Sequence, residues 1–262
     1  MRIAFAHQRL VPLLVGLGLG LLGSAAPASA AERPATAGKA VSAAAIVARA
    51  DQIRFPRQGF QVDVRITSTS PGYSPQERDY QILSKGNDRT LVMTTAPAID
   101  RGQILLMRGH DLWVFMPHVS QPIRLPLSQR LTGQVANGDL ARANFTGDYA
   151  PKLLRTQTID GRSYYVLELT ATRPSVTYHR VLYWVDKDNY RPYKAEFYTL
   201  SGRKLKICRY EAYHPMAGDI RPTKLVMQDA LRRGQQSVLV YSQMQLRNLP
   251  DKYFDKDYLK KL

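Results

Sequence analysis

Histidine, cysteine and serine are the residues that most often carry catalysis or bind metals, and none of them occurs here in a pattern that serves either purpose. The histidines beyond residue 30 are His110, His118, His179 and His214, and no His-Glu-x-x-His pair is present. The single cysteine, Cys208, excludes an intrachain disulfide and a cysteine-rich metal site. A Gly-x-Ser-x-Gly nucleophile elbow is also missing. The sequence therefore predicts no metal, no cofactor and no catalytic residue.

Residues 186–189 (Asp-Lys-Asp-Asn) look like the beginning of a calcium-binding loop. An EF-hand loop that begins at Asp186 requires glycine at its sixth position and glutamate at its twelfth. This sequence has Arg191 and Phe197 at those positions. A turn between two strands therefore accounts for the segment.

The first thirty residues have the pattern of an export signal. Arg2 and Arg9 give a positive start, residues 10–23 are apolar, and residues 28–30 (Ala-Ser-Ala) suit a signal peptidase. The apolar stretch is shorter than the roughly 20 residues that a membrane-spanning helix needs. We expect a signal peptide at residues 1–30, a flexible leader at residues 31–40 and a soluble, exported protein.

The chain is strongly basic, with 37 Lys and Arg against 21 Asp and Glu, and it retains a net charge of +14 without residues 1–30. Basic chains rich in tyrosine often bind nucleic acid, but export would separate this chain from nucleic acid. Outside the cytoplasm the abundant polyanions are lipid headgroups and envelope polymers, which attract a basic surface. We therefore expect transient contact with a membrane surface and no nucleic-acid partner.

The elements are predicted from hydrophobic spacing. Residues 41–55 have helical spacing and are followed by Pro56, whereas the later runs alternate between apolar and polar residues, as in Val62, Val64 and Ile66. About eleven such runs, separated by turn sequences, predict antiparallel strands in a single domain over residues 41–262. The closing residues 250–262 predict a helix.

Two features indicate a covered, curved sheet. Residues 112–116 and 181–185 are apolar at every position, so these strands must be covered on both faces. Residues 126–149 interrupt the strand pattern with segments compatible with helix. The concave side of a curled sheet needs a filling, and we expect residues 126–149 to form a lid over it.

Residues 101–149, RGQILLMRGHDLWVFMPHVSQPIRLPLSQRLTGQVANGDLARANFTGDY, resemble the outer-membrane lipoprotein-sorting (LolA/LolB-like) family. The resemblance rests on a strand that ends in Leu-Trp-x-Phe-x-Pro, a basic stretch, a Gly-Asp segment and an Asp-Tyr pair. In this sequence these are Leu112, Trp113, Phe115, Pro117, Arg124, Gly133, Gly138, Asp139, Asp148 and Tyr149. Residues 183–213 and 249–262 also look like the family, so the resemblance covers about residues 41–262.

The resemblance implies a mainly β protein with helices, in which an incomplete antiparallel β-barrel of about eleven strands surrounds an apolar cavity beneath a helical lid. It implies a non-enzymatic, chaperone-like periplasmic carrier for acyl chains of a lipoprotein or lipid, bound for the outer membrane. An inner-membrane lipid exporter is the implied partner, and we expect a monomer. Because the chain is so basic, an anionic lipid is a candidate cargo.

Site residues are predicted on the same basis. The expected cavity wall consists of Trp113, Phe115, Trp184, Phe197, Met227 and Met244. Three arginines near the expected mouth, Arg124, Arg130 and Arg142, are candidates for contact with anionic headgroups.

Two other hypotheses stay open at this point. The same fold serves equally well as a non-catalytic envelope interaction or sensor module that binds a partner protein, because a fold does not fix a function. An enzyme acting on envelope polymers would require histidines such as His179 or His214 to meet carboxylates within a cleft.

Overall fold

A computed structural model describes residues 41–86 and 88–259. The predicted signal peptide and leader lie outside these residues. Within them, no helix is long and apolar enough to span a bilayer.

The chain begins with helix α1 (Ala43–Arg54), as the spacing predicts. The Ser42 side chain caps it by accepting a hydrogen bond from the backbone N–H of Ala45 at 3.2 Å. The helix ends before Pro56, which disfavours helical geometry in the residue that precedes it. Ile46, Val47 and Ala50 form its buried stripe, and this stripe fixes the helix against the sheet.

Fifteen strands follow within the described part of the chain. They are β1 (Phe60–Ser70), β2 (Tyr73–Lys85), β3 (Arg89–Ala96), β4 (Ile104–Arg108), β5 (Asp111–Phe115), β6 (Ile123–Leu125), β7 (Arg130–Thr132), β8 (Val135–Ala136), β9 (Tyr149–Ile159), β10 (Arg162–Ala171), β11 (Arg180–Asp186), β12 (Pro192–Tyr198), β13 (Lys204–Met216), β14 (Asp219–Asp229) and β15 (Gln236–Leu246). A short helix, α2 (Asn137–Ala141), follows β8, and the chain closes with a 3₁₀ turn (Asp251–Phe254) and α3 (Lys256–Leu259).

Thirteen strands form one antiparallel sheet in the order β6-β5-β4-β3-β2-β1-β15-β14-β13-β12-β11-β10-β9, and β7 and β8 form a separate pair. Strands β6 and β9 are the two edges and do not pair with each other, so the barrel is incomplete, as predicted. The prediction of about eleven strands falls short of the thirteen in this sheet. Within the sheet it missed the three-residue β6 and also β9, whose largely exposed residues show no alternation because β9 is an edge strand. It also missed the short separate pair β7 and β8.

Around β4 both faces of the sheet are covered, and the apolar residues of this strand alternate between two clusters. In β4, Leu105 and Met107 belong to the main core, whereas Leu106 packs on the opposite face. The main core includes the buried residues of α1 and of residues 126–149. The C-terminal residues Leu249, Phe254 and Leu259 cover the opposite face of this part of the sheet.

Candidate ligand-binding site beneath the lid

Residues 126–149, which contain β7, β8 and α2, lie over the main core and are called the lid below. Their side chains Val135, Leu140 and Phe145 are buried in that core. The segment predicted as a lid is therefore packed against the core side of the sheet. Polar contacts attach it to the rest of the protein, among them hydrogen bonds from Gln134 to Ser237 and Gln235 and three groups of contacts that involve charged side chains.

The first polar contact is centred on Asp139 in α2. Lys206 of β13 donates a hydrogen bond to Asp139 Oδ2 at 2.6 Å, and the Tyr178 hydroxyl donates to the same carboxylate at 2.8 Å. Lys206 also donates to the carbonyl oxygen of Gln134. Burial, reinforced by the neighbouring Asp139, raises the pKa of Tyr178 well above its usual value. Tyr178 is therefore a neutral donor that holds α2 to the sheet.

The second polar contact joins Arg142 and Asp148 of the lid to the β4–β5 turn. Arg142 Nη2 donates to Asp148 Oδ1 at 2.7 Å, and Arg142 Nη1 donates to the carbonyl oxygen of Gly109 at 2.8 Å. His110 Nε2 lies 2.8 Å from Asp148 Oδ1. Burial opposes ionisation of Asp148, but the hydrogen bonds from Arg142 and His110 outweigh it and hold the pKa of its carboxyl below the usual range.

The third polar contact comes from α1. Asp51 Oδ2 accepts hydrogen bonds from the backbone N–H groups of Phe145 and Thr146, at 3.0 and 2.7 Å, and from the Thr146 hydroxyl at 2.7 Å. Asp51 is buried, and burial raises the pKa of its carboxyl despite these donors and nearby Arg54. The helix thus holds the lid by one carboxylate oxygen.

Arg54 places a positive charge inside the core. Its Nη1 lies 3.5 Å from Asp51 Oδ1, and its guanidinium stands 5.1 Å from the ring centre of Phe145 and 5.3 Å from that of Tyr210. Arg54 Nη1, Asp51 Oδ1 and the Tyr183 hydroxyl are buried without a hydrogen-bond partner among the described residues. Buried polar groups normally have partners, so this part of the interior is suited to a polar group from outside the chain.

Two small cavities of about 20 Å³ each lie beneath the lid. One is lined by Phe60, Val62 and Tyr241, and the other by Arg54 and Met227, each together with lid residues. A space of this size holds about one water molecule. Neither of these two spaces is large enough for an acyl chain.

Comparison with solved structures identifies the fold family. A LolA superfamily protein from Nitrosomonas europaea superposes with a TM-score of 0.81 at 61% sequence identity, covering 84% of this chain and 100% of that one. This chain belongs to the LolA superfamily.

Two more distant structures show the same fold. A DUF1329 family protein from Desulfovibrio piger has a TM-score of 0.72 at 22% identity, covering 83% of this chain and 97% of that one. A putative outer membrane lipoprotein-sorting protein domain from Vibrio parahaemolyticus has a TM-score of 0.71 at 21% identity, with coverages of 83% and 98%. A family model described as "Uncharacterized protein" matches residues 86–261. No curated protein matches the chain.

The residues predicted to line the cavity of this LolA-superfamily protein fall into three clusters. Phe197, Met227 and Met244 are buried in the main core, and the first two line the cavity beside Arg54. Trp113 and Phe115 pack on the opposite face of the sheet, against the cluster of C-terminal residues. Trp184 belongs to a third cluster, and its Nε1 donates to Gln157 Oε1 at 3.0 Å. The structure therefore brings only Phe197 and Met227 together at the candidate site.

The three arginines predicted at the mouth are also separated. Arg124 is exposed on β6 and forms an ion pair with Asp111. Arg130 is exposed on β7, where it lines a groove of about 350 Å³ together with Arg203 and Arg232. Arg142 is buried in the contact with Asp148. Of the three, Arg130 is the one that faces an open groove.

Sequence reasoning missed Asp51 and Arg54, although a signal for them is present. The buried positions of α1 are Ile46, Val47, Ala50, Asp51 and Arg54, so the two charges continue the apolar stripe of the helix. Charges are rarely buried unless paired, and charges on a buried stripe therefore mark a candidate site.

Cys208 and Asp186, two residues considered for chemistry in the sequence, have structural surroundings. Burial raises the pKa of the Cys208 thiol to about 12, so it is protonated at neutral pH. Asp186 Oδ1 accepts the backbone N–H groups of Asp188 and Asn189 and so stabilises the turn expected there. Among the described residues, no group of three or more His, Cys, Asp or Glu side chains is placed to hold a metal ion.

Proposed function

We propose that the protein is a periplasmic carrier that binds the acyl chain of a lipoprotein or anionic lipid between its core and the lid, for transport toward the outer membrane. Membership of the LolA superfamily supports this proposal. The observation that carries it is the construction of the lid, a short segment that covers an apolar sheet face and is attached through side-chain contacts.

A carrier is needed because acyl chains do not cross water readily. Exposing a chain of about 16 carbons costs about 0.8 kcal/mol for each methylene, or about 12 kcal/mol in all. At 1.36 kcal/mol for each tenfold change, escape from a membrane is disfavoured by about nine orders of magnitude. A protein that buries the chain removes most of this cost.

The lid is the element that must move. With the lid in place, the described interior leaves room for little more than water, so an acyl chain has to displace Leu140 and Phe145 from the core. The acyl chain then covers the apolar surface that Leu140 and Phe145 covered before. This burial limits the net free-energy cost of opening the lid. Met227 adapts readily to chains of different shape because its side chain is flexible.

Arg54 gives the site a preference in charge. Its buried guanidinium lies beside Phe145, so it becomes accessible to a ligand once the lid moves. A carboxylate or phosphate would supply the hydrogen bond that Arg54 Nη1 lacks among the described residues. We therefore assign the acidic end of the ligand to Arg54.

Lipid analysis and ligand uptake test the carrier proposal. Organic extracts of the protein purified from its native host are analysed by mass spectrometry, and the delipidated protein is titrated with a fluorescent fatty acid. We expect a co-purified acyl lipid and saturable uptake. Repeated absence of both would contradict the proposal.

A second candidate function is a non-catalytic envelope module that recognises a partner protein. The observation that favours it is the filled interior, which needs no ligand to complete its core. Such a module would capture one protein in stoichiometric amount and would transfer no lipid between donor and acceptor vesicles. An inner-membrane lipid exporter captured together with lipid transfer would instead favour the carrier.

A further inference from the structure

Large apolar side chains are exposed at four turns of the sheet. Tyr73, Ile99, Leu200 and Leu231 have exposed fractions of 80, 90, 81 and 63%, the largest among the exposed apolar residues described. They lie at the β1–β2, β3–β4, β12–β13 and β14–β15 turns. Single exposed apolar residues are common, but their placement here follows a pattern.

All four turns lie at the same end of the sheet. Because every neighbouring pair is antiparallel, β1, β3, β12 and β14 run in one direction, and each turn follows the C-terminal end of one of them. The four hairpins also occupy consecutive places in the order β4-β3-β2-β1-β15-β14-β13-β12. With about 4.8 Å between strands, they span about 34 Å of the rim. We call this set of turns the apolar rim.

The opposite end of the sheet is different. Its turns include residues 86–88, 109–110, 160–161 and 217–218, and no large apolar side chain is exposed at any of their described positions. Glycine and aspartate predominate there. Among the described turns, large exposed apolar side chains thus lie at one end of the sheet. Other exposed apolar residues stand on strands, such as Leu153 and Leu154 on β9 and Leu246 at the opposite end of β15.

The apolar rim also carries unpaired cations. Arg203, Arg232 and Arg233 are exposed in the two turns that hold Leu200 and Leu231, and none forms an ion pair with a described residue. Of the nearby carboxylates, Asp100 is paired with Arg78, and Asp229 accepts backbone N–H groups of its own turn. This end therefore presents apolar tips among free positive charges.

We propose that the apolar rim docks the protein on the surface of an anionic lipid bilayer. Apolar side chains enter the headgroup region while arginines contact lipid phosphates, the combination that binds peripheral proteins to membranes. A protein partner is less well matched, because protein interfaces centre on a contiguous, closely packed apolar patch, whereas these side chains stand on four separate turns. As a step of cargo transfer this inference rests on the proposed function; as a binding surface it stands by itself.

Docking at this end brings the lid to the membrane. The backbone N–H of Gln134, between β7 and β8, donates to Ser237 Oγ at 2.9 Å, and Ser237 stands at the beginning of β15, next to the turn that holds Leu231. The groove lined by Arg130 of the lid is also lined by Arg203, Leu231 and Arg232. A docked bilayer would therefore face the edge of the lid.

Vesicle flotation tests the docking surface. Protein expressed from the full sequence, with its N-terminus verified by intact mass, is mixed with vesicles of phosphatidylglycerol and phosphatidylcholine or of phosphatidylcholine alone. We expect binding to the anionic vesicles that weakens with salt. Leu200→Ser/Leu231→Ser and Arg203→Gln/Arg232→Gln/Arg233→Gln should each weaken it at least about tenfold.

Matched variants control for hydrophobicity and charge. Leu153→Ser/Leu154→Ser removes two exposed leucines from edge strand β9, and Arg57→Gln/Arg209→Gln/Arg247→Gln removes three exposed arginines outside the apolar rim. Both should bind vesicles like the wild type. Equal binding by rim and control variants, no binding at all, or binding only to vesicles that contain an envelope protein would overturn the proposal.

Uptake of the fluorescent fatty acid without vesicles, measured on every variant, separates the two proposals. Rim variants should keep wild-type uptake. Uptake without rim-dependent vesicle binding would refute docking alone, and rim-dependent binding without uptake would refute the carrier alone.

Discussion

At the scale of single residues, Arg54 gives the interior its chemical character. A guanidinium among Phe55, Phe145 and Tyr210 is costly to bury, and it makes only a 3.5 Å ion pair with Asp51. Interactions of this kind often stabilise a protein less than an apolar core would. We infer that Arg54 serves ligand binding.

Replacing Arg54 tests this inference. We expect the wild type to bind hexadecanoic acid about 10- to 100-fold more tightly than hexadecanol, since a charge-assisted hydrogen bond contributes about 1.5–3 kcal/mol. Arg54→Met should abolish most of this preference, as measured by competition with the fluorescent fatty acid. Arg221→Met is the matched control, because Arg221 is also buried but bonds the carbonyl oxygens of Gln52 and Ile53. An unchanged preference in Arg54→Met would rule out the assigned role.

Asp148 should make the free energy of unfolding depend on pH. Its folded-state pKa is lowered, so its ionised form stabilises the fold above the unfolded pKa of about 3.9, and this contribution is lost as pH falls through the folded pKa. Asp148→Asn should lower the free energy of unfolding by about 3 kcal/mol at neutral pH, because it removes the ion pair that Asp148 forms with the buried Arg142.

The gap in the free energy of unfolding between the wild type and Asp148→Asn, measured by urea unfolding, should narrow below about pH 4. Asp160→Asn, at an exposed turn, should track the wild type throughout. A gap that stays constant down to pH 3 would show that the carboxylate charge is not what stabilises the lid.

At the scale of elements, the fit of the lid to the sheet depends on Gly133. Its φ is +50°, and a Cβ there would lie 2.1 Å from Ser68 Oγ and 2.3 Å from Ser237 Oγ. Gly147, also in the lid, has a φ of +88° with open space around it. Alanine at either position adds backbone strain, but only at Gly133 does it also clash.

Gly133→Ala should therefore loosen the lid more than Gly147→Ala. We expect the free energy of unfolding to fall by about 2–4 kcal/mol in Gly133→Ala and by about 1 kcal/mol in Gly147→Ala. In Gly133→Ala, hydrogen exchange should become faster only in peptides from residues 126–149. Equal hydrogen-exchange rates in the two variants would mean that the close approach of Gly133 to Ser68 and Ser237 is not needed to keep the lid in place.

The elements also show how far the sequence predicts the structure. Alternation located the inner strands such as β1, and spacing located α1, because in both cases one face is buried against the core. Alternation did not reveal β9, which is exposed. It also could not assign Trp113 or Trp184 to one face of the sheet. Strands that are apolar at every position have no polar face to orient them, so only the sheet register shows which side each residue covers.

At the scale of the whole molecule, the two ends of the sheet differ, and in the proposed carrier an acyl ligand enters the core when the lid moves. Ligand binding should then stabilise the entire fold. Hexadecanoic acid at about 100 times its Kd should add about 2.7 kcal/mol to the free energy of unfolding, which raises Tm by about 5–10 °C for a domain of this size. Differential scanning calorimetry measures this shift, and hexadecane without an acidic group should give a smaller one. No shift with any acyl ligand would argue against a bound state.

In the proposed carrier the lid opens to admit the ligand, and a reversible crosslink between the lid and the rest of the protein can prevent that opening. A Cβ added at Gly138 of α2 would lie 1.9 Å from Thr177 Oγ1 and 3.0 Å from Thr177 Cβ. Thr177→Cys removes that hydroxyl, so Gly138→Cys/Thr177→Cys places two thiols within reach of a disulfide once the two backbones move slightly apart. Cys208 is buried and its thiol is protonated, so it does not compete.

The measurement is fluorescent fatty-acid uptake by the oxidised and then the reduced double variant, with the crosslink verified by intact mass and Thr177→Cys as the control. We predict that the oxidised protein takes up the probe at least about tenfold more slowly than the reduced protein, and that reduction restores uptake. Equal uptake by the fully oxidised and reduced forms would show that the ligand enters without opening of the lid.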